Sequence, residues 1–205
     1  MMLVALARLL GAHPIAAAGV ALLIRSELGA APWDVFHGGF AHATGLTIGA
    51  ASSAVAAAAV AVAWGAGIRP GFATLVNVLL LGACVDAALA VVPVAGSPVI
   101  AAGYLAVGVA ALGAGTGLYL GAELGSGPRD SLMVALVARR RWSALRARIT
   151  LELAVLVAGV LLGGRAGIGT VLYALAIGPA VACGIRLFAK EHAKEQAKVH
   201  AKEHA

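Results

Sequence analysis

The sequence predicts an all-α membrane protein of six transmembrane helices in two inverted three-helix repeats, each repeat carrying a short broken or interfacial helix after its first span. Three observations lead there. The 205 residues are 61% apolar and only 12% charged, with a mean hydropathy of +0.97, whereas a water-soluble domain carries about twice that charged fraction. Six apolar runs approach ~20 residues, the length that crosses a hydrocarbon core of roughly 30 Å. A glycine-to-proline break, LGAAPWD from Leu28 to Asp34, returns 96 residues later as LGSGPRD from Leu124 to Asp130.

The first repeat is residues 1–93. Its first span, Leu3 to Ile24, contains His13 and Pro14, and a bend is expected there because proline leaves a carbonyl unpaired. His13 reads as a hydrogen-bonded packing residue beside that bend, or as a titrating group in a pathway. No basic residue precedes the run and five more follow, which argues against a cleaved secretory leader. Glu27 closes the span and the break follows. Pro32 suits a first helical position, where its missing N–H costs nothing, and residues 32–44 form a helix too short to span a bilayer. It either lies in the interface or re-enters, and Trp33 fits an interfacial aromatic belt. His37 and His42, five apart, share no helical face and suggest no metal site. The second span runs from Thr47 to Gly65. After the turn at Gly67, Arg69, Pro70 and Gly71, the third runs from Phe72 to Val92 with Asn77 and Asp86 inside it. An ionisable residue within a span faces the bundle interior or a pathway; the alternative for Asp86 is a carboxylate near the surface that caps a helix or pairs with an arginine.

Residues 94–98 link the halves, and residues 99–188 form the second repeat. Its spans are Val99 to Leu120, Ala147 to Gly163 and Gly167 to Leu187. Gly113, Gly117, Gly121 and Gly125 recur every fourth residue, a small-residue ridge expected to meet the equivalent ridge of the first span, Ala17, Ala21, Arg25 and Gly29. Trp142 beside Arg139, Arg140 and Arg141 again suggests an interface. Cys84 and Cys183 occupy non-corresponding span positions and read as small core residues rather than a disulfide. The tail, residues 189–205, cycles Ala, Lys, Glu and His and is expected to be a solvated cytoplasmic helical extension.

Without gaps, residues 19–82 match 115–178 at fifteen of 64 positions, against roughly one in ten expected by chance in so biased a composition. Five matches involve rare types: Glu27 with Glu123, Pro32 with Pro128, Asp34 with Asp130, Arg69 with Arg165, and Thr74 with Thr170. Three spans per repeat is an odd number, so the second copy enters the membrane from the opposite side. Inverted repeats with a broken element at matching positions are the pattern of many secondary transporters and some channels, where the broken elements line a central site. The pathway candidates are therefore Glu27, Pro32, Trp33, Asp34, Asn77, Asp86, Glu123, Pro128, Arg129 and Asp130. Half-helix N-termini favour an anion, but the four carboxylates beside the breaks oppose one unless paired, and Arg129 and Arg25 are available to pair them. The alternative is that each break helix is interfacial and its Asp satisfies only its own first turn. Arg69 and Arg165 are read as helix-end caps.

Short loops on one side carry Arg69, Arg129, Arg139, Arg140, Arg141, Arg146 and the tail lysines, while the other side has little more than Arg25 and Arg165. Both termini are therefore expected in the cytoplasm. The net charge of +6 speaks to topology and anionic lipid and gives no reason to expect nucleic-acid binding. No nucleophile with a base, metal-ligand set or phosphate loop stands out, so no enzyme and no cofactor is expected.

The stretches LGAAPWDVFHGG (28–39), RPGFATLVNVLLLGACVD (69–86), GTGLYLGAELGSGPRDSLMVAL (115–136) and GRAGIGTVLYALAIGP (164–179) resemble the YczE/YyaS/YitT family of bacterial integral membrane proteins, in its YczE-like branch. The resemblance excludes the tail. It implies a permease-like or exporter-like protein of the bacterial plasma membrane, with no cofactor and no assigned catalytic residue. Three function classes stay open: a small secondary transporter or exporter of a small molecule, a channel on the same repeat, and a binding or regulatory membrane protein that assists a partner. The bilayer and an unidentified small molecule or ion are the expected partners, and a homo-oligomer is left open.

Overall fold

A computed structural model describes residues 2–122, 124–125 and 127–203, with side chains as far as residue 188. Glu123 and the side chains of the charged tail lie outside the described residues. Eight α-helices and no strand are present among those described: α1 (Met2–Arg25), α2 (Pro32–Thr44), α3 (Ile48–Gly65), α4 (Phe72–Val91), α5 (Pro98–Leu120), α6 (Pro128–Arg140), α7 (Ala144–Leu161) and α8 (Ile168–Glu203). Helices α6, α7 and α8 each begin 96 residues after α2, α3 and α4.

The local chemistry at matching boundaries is alike. Pro32 and Pro128 stand in the first helical turns of α2 and α6. Thr47 caps α3 by accepting a hydrogen bond from the Ala50 N–H at 3.1 Å, and Ser143 caps α7 by accepting from Arg146 at 3.2 Å. Helices α2 and α6 both end on left-handed residues, Gly45 and Arg141. Helix α1 continues through Pro14.

Among the described residues, five helices are long and apolar enough to cross a membrane: α1, α3, α4, α5 and the Ile168–Phe188 part of α8. The sixth expected span falls on α7, whose 18 residues include Arg146, Arg148 and Glu152, too much charge for that class. Leu79, Val91, Leu153, Val157, Leu161, Val171 and Leu175 are all more than half exposed, an outer apolar surface that water would not tolerate but lipid does.

The core forms where α1 crosses α5. A Cβ on Gly19 would lie 2.7 Å from the Leu112 nitrogen and 2.8 Å from the Gly108 oxygen; one on Gly115 would lie 2.7 Å from the Ala16 nitrogen and 3.0 Å from the Ala12 oxygen. The absence of side chains is what lets the backbones touch. The ridge at Gly113 and Gly117 has a different partner from the one expected. It packs on Ala180 and Gly184 of α8, because residues two apart are about 200° apart around a helix, so Gly115 and its neighbours cannot face α1 together. Leu9, Ala12, Ala73, Tyr119 and Ala122 fill one end of this core, and Leu23, Ala30, Val35, Leu105 and Val109 another.

Outside the α1–α5 pair, α4 packs on α1 and α8 on α5, while α2 packs on α7 and α3 packs on α6. The breaks are tied across the same pattern. The Leu28 carbonyl accepts from the Gly169 N–H at 2.7 Å, and the Leu124 carbonyl accepts from the Ala73 N–H at 3.1 Å. Gly29 (φ +109°) and Gly125 (φ +130°) make the turns that aim those carbonyls. Cys84 and Cys183 are unpaired; Cys84 is half-buried but Cys183 is exposed on α8, so it is not a core residue.

Gly19→Leu or Gly115→Leu would drive a side chain into the facing backbone. Each should destabilise the protein by about 1–3 kcal/mol or more, read as a lowered melting temperature in detergent, whereas Gly65→Leu, with open space around it, should have little effect.

Candidate functional site

The first turns of α2 and α6 converge on one cavity of about 410 Å³. Seven of the ten residues singled out in the sequence line it: Pro32, Trp33, Asp34, Asn77, Pro128, Arg129 and Asp130. The two breaks therefore meet. The Arg129 guanidinium lies 3.6 Å from Asp34 Oδ1, and its Cζ sits 5.0 Å from the centre of the Trp33 ring, within reach of a cation–π interaction. His37, one helical turn after Asp34, places Nδ1 3.5 Å from the same carboxylate oxygen. These distances are longer than a well-made charge-assisted hydrogen bond, so Asp34 is neutralised loosely. Trp33 is 8% exposed. It belongs to this interior site and not to an interfacial belt, because Arg129 from the opposite break covers its face.

Asp34 is almost fully buried, and its Oδ2 has no hydrogen-bond partner; the same holds for His13 Nε2 and Tyr119 Oη, both from cavity-lining residues. His13 donates through Nδ1 to the Leu9 carbonyl at 2.6 Å and meets Tyr119 edge to face. It is thus both the packing residue expected and part of the cavity wall. A polar atom buried without a partner is costly, and three such atoms belong to residues that line this one cavity. Arg148 and Glu152 of α7, joined at 3.0 Å, Tyr173 of α8, Ser52 and Thr116 add to the polar lining. Sequence reading missed His37, Tyr119, Arg148, Glu152 and Tyr173. A signal for Tyr173 was available, since it stands 96 residues after Asn77, which also lines the cavity.

Two predicted site residues are not brought to the cavity. Glu27 is at the surface, where its Oε1 accepts from Arg165 at 2.7 Å; Arg165 is thus an ion-pair partner and not a helix-end cap. Asp86 takes the capping alternative. Its Oδ2 accepts from Thr47 Oγ1 at 2.6 Å and its Oδ1 accepts from the Gly49 N–H at 2.8 Å, so it completes the N-terminus of α3 from α4. This clasp needs Gly49 and Gly82, whose backbones press together so that neither has room for a Cβ. At the positions 96 residues later stand Ser143, Leu145, Gly178 and Ala182. There the carboxylate is missing, Leu145 replaces the contact glycine, and a Cβ added to Gly178 would meet no facing atom within 4 Å among the described residues. Helix α3 is accordingly packed along α4, whereas α7 and α8 barely touch.

Apolar helices of spanning length, an apolar outer surface and an interior polar cavity define a multi-pass membrane protein. The chain belongs to the family described as "Family of unknown function (DUF6198)", whose sequence profile matches residues 5–186. It is 34% identical to an uncharacterized membrane protein, YczE, of Bacillus subtilis over 171 residues, covering 80% of this chain and 77% of that protein. It is also 34% identical to an uncharacterized protein of Haemophilus influenzae over 182 residues, 89% of this chain and 84% of the other. The expected YczE relationship is thereby established. No solved structure matches the chain.

Asp86→Ala removes the acceptor for the Gly49 N–H and the Thr47 hydroxyl. It should cost about 0.5–2 kcal/mol, the range for a lost helix cap, read as a lowered melting temperature with the fluorescence of the cavity residue Trp33 unchanged.

Proposed function

We propose that the protein is a small secondary transporter, working as an exporter of a small molecule, built as two inverted three-helix repeats with α7 as the sixth span. It lies in the bacterial plasma membrane with both termini cytoplasmic. The observation that carries this reading is the meeting of the α2 and α6 first turns at one cavity, where a residue from each break, Asp34 and Arg129, neutralises the other. Broken helices at matching positions of two repeats, converging on a common polar site, are the arrangement through which alternating-access proteins hold their cargo.

The repeat reading draws on the constant 96-residue spacing of helix starts and on contacts that trade partners between halves, Leu28 with Gly169 and Leu124 with Ala73. The outward-facing Leu153, Val157 and Leu161 support α7 as a membrane helix, with Arg148 and Glu152 on the side that lines the cavity. Unequal halves support motion: α3 and α4 are clasped while α7 and α8 are parted. In a transporter of this build the two halves exchange such arrangements, which opens the site to one side and then the other. Asp34, buried with a vacant oxygen, is the simplest carrier of a coupling proton.

The experiment is a pair of cysteines, Leu145→Cys with Ala182→Cys, in a background with Cys84 and Cys183 replaced by Ala. A reporter cysteine at Ser52, a lining residue, is labelled with a membrane-impermeant maleimide from either face. Alternating access predicts that mild oxidation joins α7 to α8 and lowers labelling from one face at least fivefold while raising it from the other. A disulfide that never forms, or labelling from both faces that oxidation leaves alone, contradicts the reading; simultaneous access from both faces is the behaviour of a channel.

A further inference from the structure

Two of the three buried polar atoms left without a partner among the cavity residues are acceptors. Asp34 Oδ2 only accepts. The Leu9 carbonyl also only accepts, so His13 must carry its proton on Nδ1, and in the neutral ring Nε2 is then a second acceptor. Tyr119 Oη, the third unpartnered atom, serves either way. The charges agree. Asp34, Asp130 and Glu152 line the cavity against Arg129 and Arg148, Arg148 is engaged by Glu152, and Asp130 enters no ion pair among the described residues. The N-termini of α2 and α6 contribute about half a positive charge each, less than the full carboxylate that each carries in its own first turn.

We infer that the cavity takes a small organic cation, an ammonium or guanidinium on an apolar body, whose N–H groups meet Asp34 and whose charge lies over the Trp33 ring now covered by Arg129. A carboxylate beside an indole face is a cation site, and the protein's own guanidinium occupies it at 3.6 Å and 5.0 Å. Arg129 is held without a close hydrogen bond to Asp34 and is about one-third exposed, with 38% of its side-chain surface accessible, so it can give way. A space of about 410 Å³ falls in the range of small-molecule pockets, and Leu112, Leu151 and Ile177 on its wall suit an apolar body. The inference rests on the transport reading in taking this cavity as the cargo site.

The test uses the full chain in detergent with Trp64→Phe and Trp142→Phe, which leaves Trp33 as the one tryptophan of three. Benzylammonium and phenylguanidinium are titrated against its fluorescence, with benzoate as the anionic counterpart. Both cations should give saturable signals and benzoate none. Asp34→Asn should weaken cation binding at least tenfold, Glu27→Gln should leave it unchanged, and Arg129→Ala should tighten it about threefold or more, because an internal competitor is gone. Cation binding weakened by Arg129→Ala, benzoate binding that Arg129→Ala abolishes, or no saturable cation signal overturns the inference. If Asp34→Asn does not purify as a single species, the direction of the Arg129→Ala effect decides. The two readings fail separately: cation binding without alternating cysteine access removes transport and leaves the cation site, and alternating access without cation binding does the reverse.

Discussion

A chain that interrupts its helices inside an apolar bundle must find partners for the backbone groups it frees, since lipid offers none. Here each half solves the problem for the other. The carbonyl of Leu28 is taken by the start of α8 and that of Leu124 by the start of α4. Gly29 and Gly125, both at positive φ, turn the chain so that these carbonyls reach their donors. Much of the remaining arrangement depends on this exchange. It fixes where the chain leaves α1 and α5, and hence where Pro32 and Pro128 start the short helices. It also brings Asp34 near Arg129, although they are 95 positions apart in the chain.

The cavity that results is polar at its centre and apolar around it. Burying Asp34 in such surroundings would be expensive for an isolated carboxylate. Arg129 and His37 offset the charge without saturating it, and Oδ2 is left buried without a hydrogen-bond partner. The unequal helix pairs fit the same picture. Where Asp86, Gly49 and Gly82 are present the helices close; where Ala182, Leu145 and Gly178 stand they do not. A few residues therefore separate the clasped α3–α4 pair from the parted α7–α8 pair.

Much of this was legible in the residues, and the reasons for the rest are physical. The breaks could be read because glycine followed by proline has few uses in an apolar helix, and their recurrence because Glu, Pro, Asp and Arg are scarce in this chain. Asp34 and Asp130 could be matched to each other for the same reason, but the residues alone leave open whether the two breaks meet at a central site or stay interfacial. Asp86 could not be assigned in advance, because an acidic residue one turn from a helix end caps a neighbour or lines a pathway according to packing alone. The glycine ridge misled for a related reason: spacing by four shows that a face is flat, not which helix lies on it, and α5 has flat faces toward both α1 and α8. Trp33 looked interfacial because tryptophan usually is in membrane proteins. Only the Arg129 contact, unforeseeable from a position where the matching residue is of a different type, shows it to be interior.

That contact has an implication of its own. Trp33 and Arg129 occupy corresponding places in the 96-residue correspondence, yet they stack on each other. In an assembly of two identical chains, such a place on a symmetry axis would present the same residue twice, ring against ring or charge against charge. In a single polypeptide the two places carry different residues, so the contact is complementary, charge against ring, and the cavity has two unlike sides.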